Sequence, residues 1–183
     1  MEYYIDGSCK GNPGIGGWAI MVIKDNSLYD QVGSFVEPPV TNNMMEICAL
    51  IHCLSYIISY YKDKNPIIYT DSMYNINCYK GCEKWLKKIN LKNRPYVKAV
   101  SYLKDSIKTH HYNLKIKKVE GHAGIKWNEE ADRLASNCAI KKSYSYYSKK
   151  IKSPKVIDLI SDIKYDNGIF YKELLKYDYL SEN

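Results

Sequence analysis

Between Thr41 and Tyr61 the spacing of apolar residues changes from strand-like alternation to a helical stripe, and that switch constrains the fold more than any other feature. Leu50, Cys53, Leu54, Ile57, Ile58 and Tyr61 recur at i, i+3, i+4, i+7, i+8 and i+11, the pattern of a helix with one buried face. Thr41 or Asn42 can cap its start. Before it, residues 2–8, 17–24 and 28–36 read as strands joined by short links, the first closed by the turn Lys10-Gly11-Asn12-Pro13-Gly14, so they form an antiparallel meander. After it, Pro66–Thr70 is a short continuous apolar run of the kind a buried parallel strand carries, and it stops at Asp71-Ser72, where a helix can begin. Helices are predicted over about 72–89 and 96–109, a strand from Leu114 to Val119, and a helix over about 127–142 behind the loop Gly121-His122-Ala123-Gly124. With a right-handed crossover between the meander and the fourth strand, this order gives an α/β fold. Its mixed sheet has five strands, a meander plus two parallel strands, flanked by helices.

The length of 183 residues suits one domain with an appendage. Residues 1–142 are read as the domain and 143–183 as a C-terminal extension of unknown role. Hydrophobic residues at 45% and charged residues at 26% exclude wholesale disorder. A net charge of +7 favours an acidic partner, most commonly a phosphate backbone. The six cysteines are scattered without a CxxC pair, which points to reduced structural thiols rather than a zinc or redox site. Met1 is followed at once by the strand-like Tyr3-Tyr4-Ile5, and no apolar run reaches membrane-spanning length. The expectation is a cytoplasmic protein with no membrane partner.

Three carboxylates stand where a merely solvating acid would not go. Asp6 lies inside an apolar strand, Glu46 lies one turn before Leu50 on the apolar side of its helix, and Asp71 ends a buried strand. In open α/β sheets ligands bind beyond the carboxyl ends of strands, which places Asp71 well. Asp132 sits three residues before Ala135 and seven before Ala139, on the edge of the last helix's core-facing stripe, so four carboxylates can converge. Clustered carboxylates repel and call for cations, and oxygen-only ligands suit Mg²⁺ or Mn²⁺. Two such ions can activate water and stabilise the leaving oxygen of an in-line phosphodiester displacement. Taken alone, Asp71 could equally cap a helix.

Four segments in order carry a resemblance. Tyr4-Ile5-Asp6-Gly7-Ser8-Cys9-Lys10-Gly11-Asn12-Pro13-Gly14, Thr41-Asn42-Asn43-Met44-Met45-Glu46, Thr70-Asp71-Ser72, and Gly121-His122-Ala123-Gly124 followed by Asn128-Glu129-Glu130-Ala131-Asp132-Arg133-Leu134-Ala135 resemble the signatures of the type 1 ribonuclease H family. The resemblance implies the ribonuclease H-like fold and an endonuclease that cuts the RNA strand of RNA/DNA hybrids without sequence preference. It implies two Mg²⁺ ions, with Mn²⁺ as a substitute, on Asp6, Glu46, Asp71 and Asp132. It makes His122 a mobile loop histidine that assists proton transfer or product release. A monomer with no obligate protein partner is expected.

By the same resemblance, Cys9, Lys10, Gly11 and Asn12 approach the hybrid backbone, Asn42 and Asn43 reach the minor groove, and Thr41 with Asn12 holds a DNA-strand phosphate. A wide minor groove displaying 2′-hydroxyls can be tested by small amides without reading sequence. From 80 to 98, seven basic residues face one acid, Glu83, with Trp85 among them. This is where many family members carry a basic handle, represented here by Lys84, Lys87 and Lys88, in a segment shorter than the usual handle and lacking its run of tryptophans. Lys141 to Lys155 adds six lysines, no acid and three tyrosines, suited either to phosphate contact and stacking or to a flexible linker. His52, His110 and His111 match no motif and read as structural or exposed.

Overall fold

The computed structural model describes residues 1–61, 64–88, 94–142 and 145–147. Lys92 and the residues after 147 therefore lie outside the described residues. The meander is β1 (Glu2–Lys10), β2 (Gly14–Lys24) and β3 (Ser27–Val40), followed by α1 (Asn42–Tyr56), β4 (Ile67–Thr70), α2 (Met73–Lys88), α3 (Arg94–Thr109), β5 (Lys115–Lys118) and α4 (Lys126–Lys141). A short β6 (Ser145–Tyr147) closes the series. The sheet order is β5-β4-β1-β2-β3-β6. The five expected strands are present, with β1-β2-β3 antiparallel and β1-β4-β5 parallel. The sixth comes from the extension, where β6 pairs antiparallel with Gln31–Gly33 of β3. It covers part of an otherwise open edge, and the opposite edge, β5, carries three lysines in four residues, a usual guard against strand addition.

Alternation along β1 sorts the layers. Tyr3 and Ile5 are fully buried in the main core with α1 and α3, which includes Leu50, Leu54, Val97 and Val100. Tyr4 and Asp6 point to the opposite face, where Tyr4 packs against a smaller cluster of Met21, Ile23 and Ala131 beneath α4. The helical stripe read to Tyr61 divides in two: α1 ends at Tyr56 and continues as a π-helical turn, Ile57–Tyr61. Gly81, with φ −125° and ψ 31°, breaks α2 midway, in line with the poor helix propensity of glycine.

His52 is a buried member of α1 whose ring stacks on Trp18 at 3.9 Å between centroids. Its Nε2 has no hydrogen-bond partner. Burial pushes its pKa down to about 3, so the ring is neutral in the folded protein. The five cysteines other than Cys9 are buried, and all six are free thiols.

Candidate active site

The pairing of the parallel strands brings the first two acids level. Tyr4 of β1 stands opposite Tyr69 of β4; two residues further along come Asp6, within β1, and Asp71, just past the end of β4. The third acid arrives from the other layer, because α1 crosses β1 at very close range. A Cβ on Gly7 would lie 2.3 Å from backbone atoms of Met45 and Glu46, so only glycine lets that helix turn settle against the strand. Thr41 starts α1 by accepting the Met44 backbone N–H on its hydroxyl at 3.3 Å, which sets Glu46 in the second turn.

Asp6, Glu46 and Asp71 each place one carboxylate oxygen within 4.8 Å of the others. Asp6 and Glu46 are buried, each 6% exposed, whereas Asp71 is half-buried. Burial and the neighbouring charges of Asp71 and Asp132 push Asp6 up to about 8, against a smaller opposing effect of the Gly7 N–H. Burial first, then the charges of Asp6, Asp71 and Asp132, raises Glu46 well above the usual carboxylate range. Carboxyl groups so disposed strongly favour a proton or a cation between them. Their all-oxygen donor set fits a hard divalent ion, so the residues present suit the metal that the sequence implies.

Asp132 does not join the close trio. It is half-buried on α4 between the buried Ala131 and Ala135, near enough to raise Asp6 and Glu46 electrostatically. Of the four acids expected to converge, three lie within 4.8 Å of one another and Asp132 stands outside that group. His122 is exposed and adopts a left-handed backbone, φ 52°. It directly follows Gly121, where a Cβ would fall 2.9 Å from Asp71 Oδ2, so the loop passes tightly over that carboxylate. Glu129 secures the loop's far side by accepting the Gly124 N–H at 2.8 Å.

Two buried amides belong to the site and escape a reading of spacing. Asn75 Nδ2 donates to Glu46 Oε2 at 3.2 Å, and Asn128 Nδ2 donates to Asp71 Oδ2 at 3.3 Å. Each leaves its own Oδ1 unpartnered. The helix-cap role considered for Asp71 falls instead to Ser72, whose hydroxyl accepts the Asn75 backbone N–H at 3.3 Å.

The residues expected near a hybrid fall into two groups. The β1–β2 turn and the start of α1 are tied together: Asn12 Oδ1 accepts the Asn42 backbone N–H at 3.3 Å, and the Cys9 thiol donates to the carbonyls of Gly11 at 3.0 Å and Val40 at 3.2 Å. Lys10, Gly11, Asn12, Asn42 and Asn43 are exposed along this rim, while Cys9 and Thr41 are half-buried and engaged in turn and cap bonds. Lys84 and Lys87 are exposed on α2 beyond the break at Gly81. Lys88 ends the same helix, and its side chain lies outside the described residues. Trp85 is half-buried and packs edge-on against Tyr74 at 4.7 Å, so it acts as a support for the basic face.

A family model described as RNase H matches residues 1–140. The ribonuclease H of Wolbachia sp. subsp. Drosophila simulans (strain wRi) is 35% identical over 147 residues, covering 76% of this chain and 95% of the relative. That of Francisella philomiragia subsp. philomiragia is 39% identical over 145 residues, covering 73% and 86%. Among solved structures, LC11-RNase H1 in complex with RNA/DNA hybrid superposes with a TM-score of 0.62 at 19% identity, covering 76% of this chain and 96% of that one. At that identity the superposition speaks to the fold, whereas the sequence relatives, matched over nearly their whole length, speak to descent. The carboxylate trio therefore stands in a chain that belongs to the ribonuclease H family of enzymes.

Proposed function

We propose that this chain is a sequence-nonspecific endonuclease that hydrolyses the RNA strand of RNA/DNA hybrids with two divalent cations, Mg²⁺ for preference and Mn²⁺ as substitute. The observation that carries the reading is the trio Asp6, Glu46 and Asp71, held within 4.8 Å in a chain of this family. Asp6, Glu46, Asp71 and Asp132 would hold the ions, whose chemistry in such a site is activation of water and neutralisation of charge at the leaving oxygen of an in-line displacement. Around them the chain orients the duplex. Asn42 and Asn43 test the minor groove for 2′-hydroxyls, Cys9, Lys10, Gly11 and Asn12 lie along the backbone, and Thr41 with Asn12 holds a DNA-strand phosphate. Lys84, Lys87 and Lys88 add electrostatic grip as a short handle. The superposed LC11-RNase H1, seen with an RNA/DNA hybrid, supports this choice of substrate. In the same reading residues 1–142 form the catalytic unit of a cytoplasmic monomer, and 143–183 are an extension that lends β6 to its sheet.

The test is cleavage of one sequence presented as RNA/DNA hybrid, double-stranded RNA and double-stranded DNA, with and without Mg²⁺. Only the hybrid with metal is expected to be cut, and deoxyribose around the scissile phosphate should block the reaction. Equal cutting of double-stranded DNA would refute the assignment.

His122 would carry a proton to or from the reacting groups, a role supported by its position next to Gly121 on the loop that passes over Asp71. Its exposure leaves it free to move between solvent and site. His122→Ala is expected to lower kcat by roughly a hundredfold or less with little change in KM for hybrid. Complete inactivation of the folded variant would instead make His122 a metal ligand.

A further inference from the structure

Asn75 occupies the first turn of α2 and is fully buried, yet half of its amide is unsatisfied. Both amide hydrogens are used: Nδ2 lies 3.2 Å from Glu46 Oε2 and 3.4 Å from Thr70 Oγ1. Thr70 in turn accepts the Ser72 backbone N–H at 3.1 Å. The amide therefore links the strand end that presents Asp71 to the helix that presents Glu46. Its Oδ1 has no partner.

We infer that Asn75 is a positioning residue for cation binding, fixing the Glu46 carboxylate by one oxygen so that the other is left for a cation shared with Asp6 and Asp71. This rests on the metal-site reading above and adds to it a residue that touches no ion.

The argument turns on what the amide does for the fold and what it does for the site. A buried, unpaired amide oxygen is destabilising relative to a satisfied one. An apolar side chain of similar size at position 75 would avoid that cost, so packing alone is a poor reason for asparagine there. What only an amide supplies is two divergent N–H donors in one plane, and both point at groups that set the site's geometry. Glu46 is the ligand with the longest side chain, and with Oε2 held by Asn75 its Oε1 receives no hydrogen bond from the described residues. A single fixed carboxylate oxygen suits a small cation that demands octahedral geometry. Neighbours that orient ligands in this way commonly account for a ten- to hundredfold change in metal affinity when removed.

The test uses the full chain and MgCl₂ titrated calorimetrically, together with thermal unfolding in chelator. Asn75→Val should weaken Mg²⁺ binding ten- to hundredfold while leaving the melting temperature of the metal-free protein unchanged or higher. Asn75→Thr, which keeps one donor in a side chain of the same bulk as valine, should recover part of the lost affinity. Mg²⁺ affinity within twofold of wild type in Asn75→Val would overturn the inference. So would a melting temperature that falls in both variants together with the affinity, since that is the signature of a merely structural role. If Asn75→Val does not fold, Asn75→Thr alone decides: weakened Mg²⁺ binding with an unchanged melting temperature supports positioning, and unchanged binding removes it. Wild-type protein that takes up no Mg²⁺ at millimolar concentration would fail the metal-site reading itself, an outcome distinct from either variant result.

Discussion

Asp71→Asn is expected to reduce hybrid cleavage by on the order of a thousandfold or more, equivalent to about 4 kcal/mol of barrier, without unfolding the protein. Asp71 directly follows β4, with its Oδ2 against Gly121 and accepting from Asn128 Nδ2. An asparagine keeps that shape, and its own oxygen can still accept the Asn128 hydrogen. The change lost is one negative charge from a trio spaced within 4.8 Å. In the metal-free protein that loss relieves repulsion on Asp6 and Glu46, both of which Asp71 pushes upward. Stability in chelator should therefore hold or rise. Hybrid binding, which the proposed function assigns to the exposed rim at Lys10–Asn12 and Asn42–Asn43 and to the lysines of α2, should persist. The informative result is the combination: undiminished hybrid affinity, an intact fold and lost turnover. Near-normal turnover with Mg²⁺ would remove the two-metal proposal, and lost affinity would mean that Asp71 acts in binding the duplex.

The sequence made Asp6, Glu46 and Asp71 visible for a physical reason. Each interrupts an apolar stretch, and a carboxylate there has either a partner or a use. Burial at 6% exposure for Asp6 and Glu46 is what that local context implied. Asn75 and Asn128 gave no such signal. Asn128 stands beside Glu129 and Glu130, and Asn75 stands between Tyr74 and Ile76 as one of two asparagines, 75 and 77, near the start of α2. Neither setting says that the side chain faces the acids, which only tertiary packing shows. The separation of Asp132 from the trio was hidden for a different reason: helical spacing places a residue on a face but does not say how far along the sheet that face reaches. His52 carried no motif, and its burial follows from the large flat ring of Trp18 on β2, a contact between elements distant in sequence. Strand β6 was equally illegible, since Ser145-Tyr146-Tyr147 stands among lysines and serines that read as a linker. Its pairing with β3 depends on an edge that only the assembled sheet provides. Residues whose environment is set by their own segment could be read, and those set by a distant one could not.

Asp6→Asn should reverse its effect on stability according to whether metal is present. Asp6 is held up to about 8, above the value near 4 of an unfolded aspartate. The folded chain therefore holds a proton that the unfolded chain releases. This contribution is fully present below about pH 4 and is lost as pH rises toward 8, at up to about 1.4 kcal/mol per pH unit. Glu46, also raised, acts in the same direction. His52 acts in the opposite one: with its folded pKa near 3 and an unfolded value near 6.5, it favours the folded state above about pH 6.5 and costs stability as pH falls toward 3. The two effects oppose each other between about pH 4 and 6.5, so the carboxylates act alone only from about 6.5 to 8. In chelator, wild-type stability from urea titrations should fall across that interval, and Asp6→Asn should flatten the slope and stabilise the protein at pH 7 by on the order of 2 kcal/mol, the relief of charge being partly offset by a buried amide that is not fully hydrogen-bonded. With saturating Mg²⁺ the order should invert, because wild type gains by ligand linkage in proportion to the logarithm of metal concentration over Kd and the variant, short of one ligand, gains much less. A variant less stable than wild type in chelator at pH 7, or one stabilised equally by Mg²⁺, would show that the acids at this end of the sheet are neither strained without a cation nor gathered to hold one.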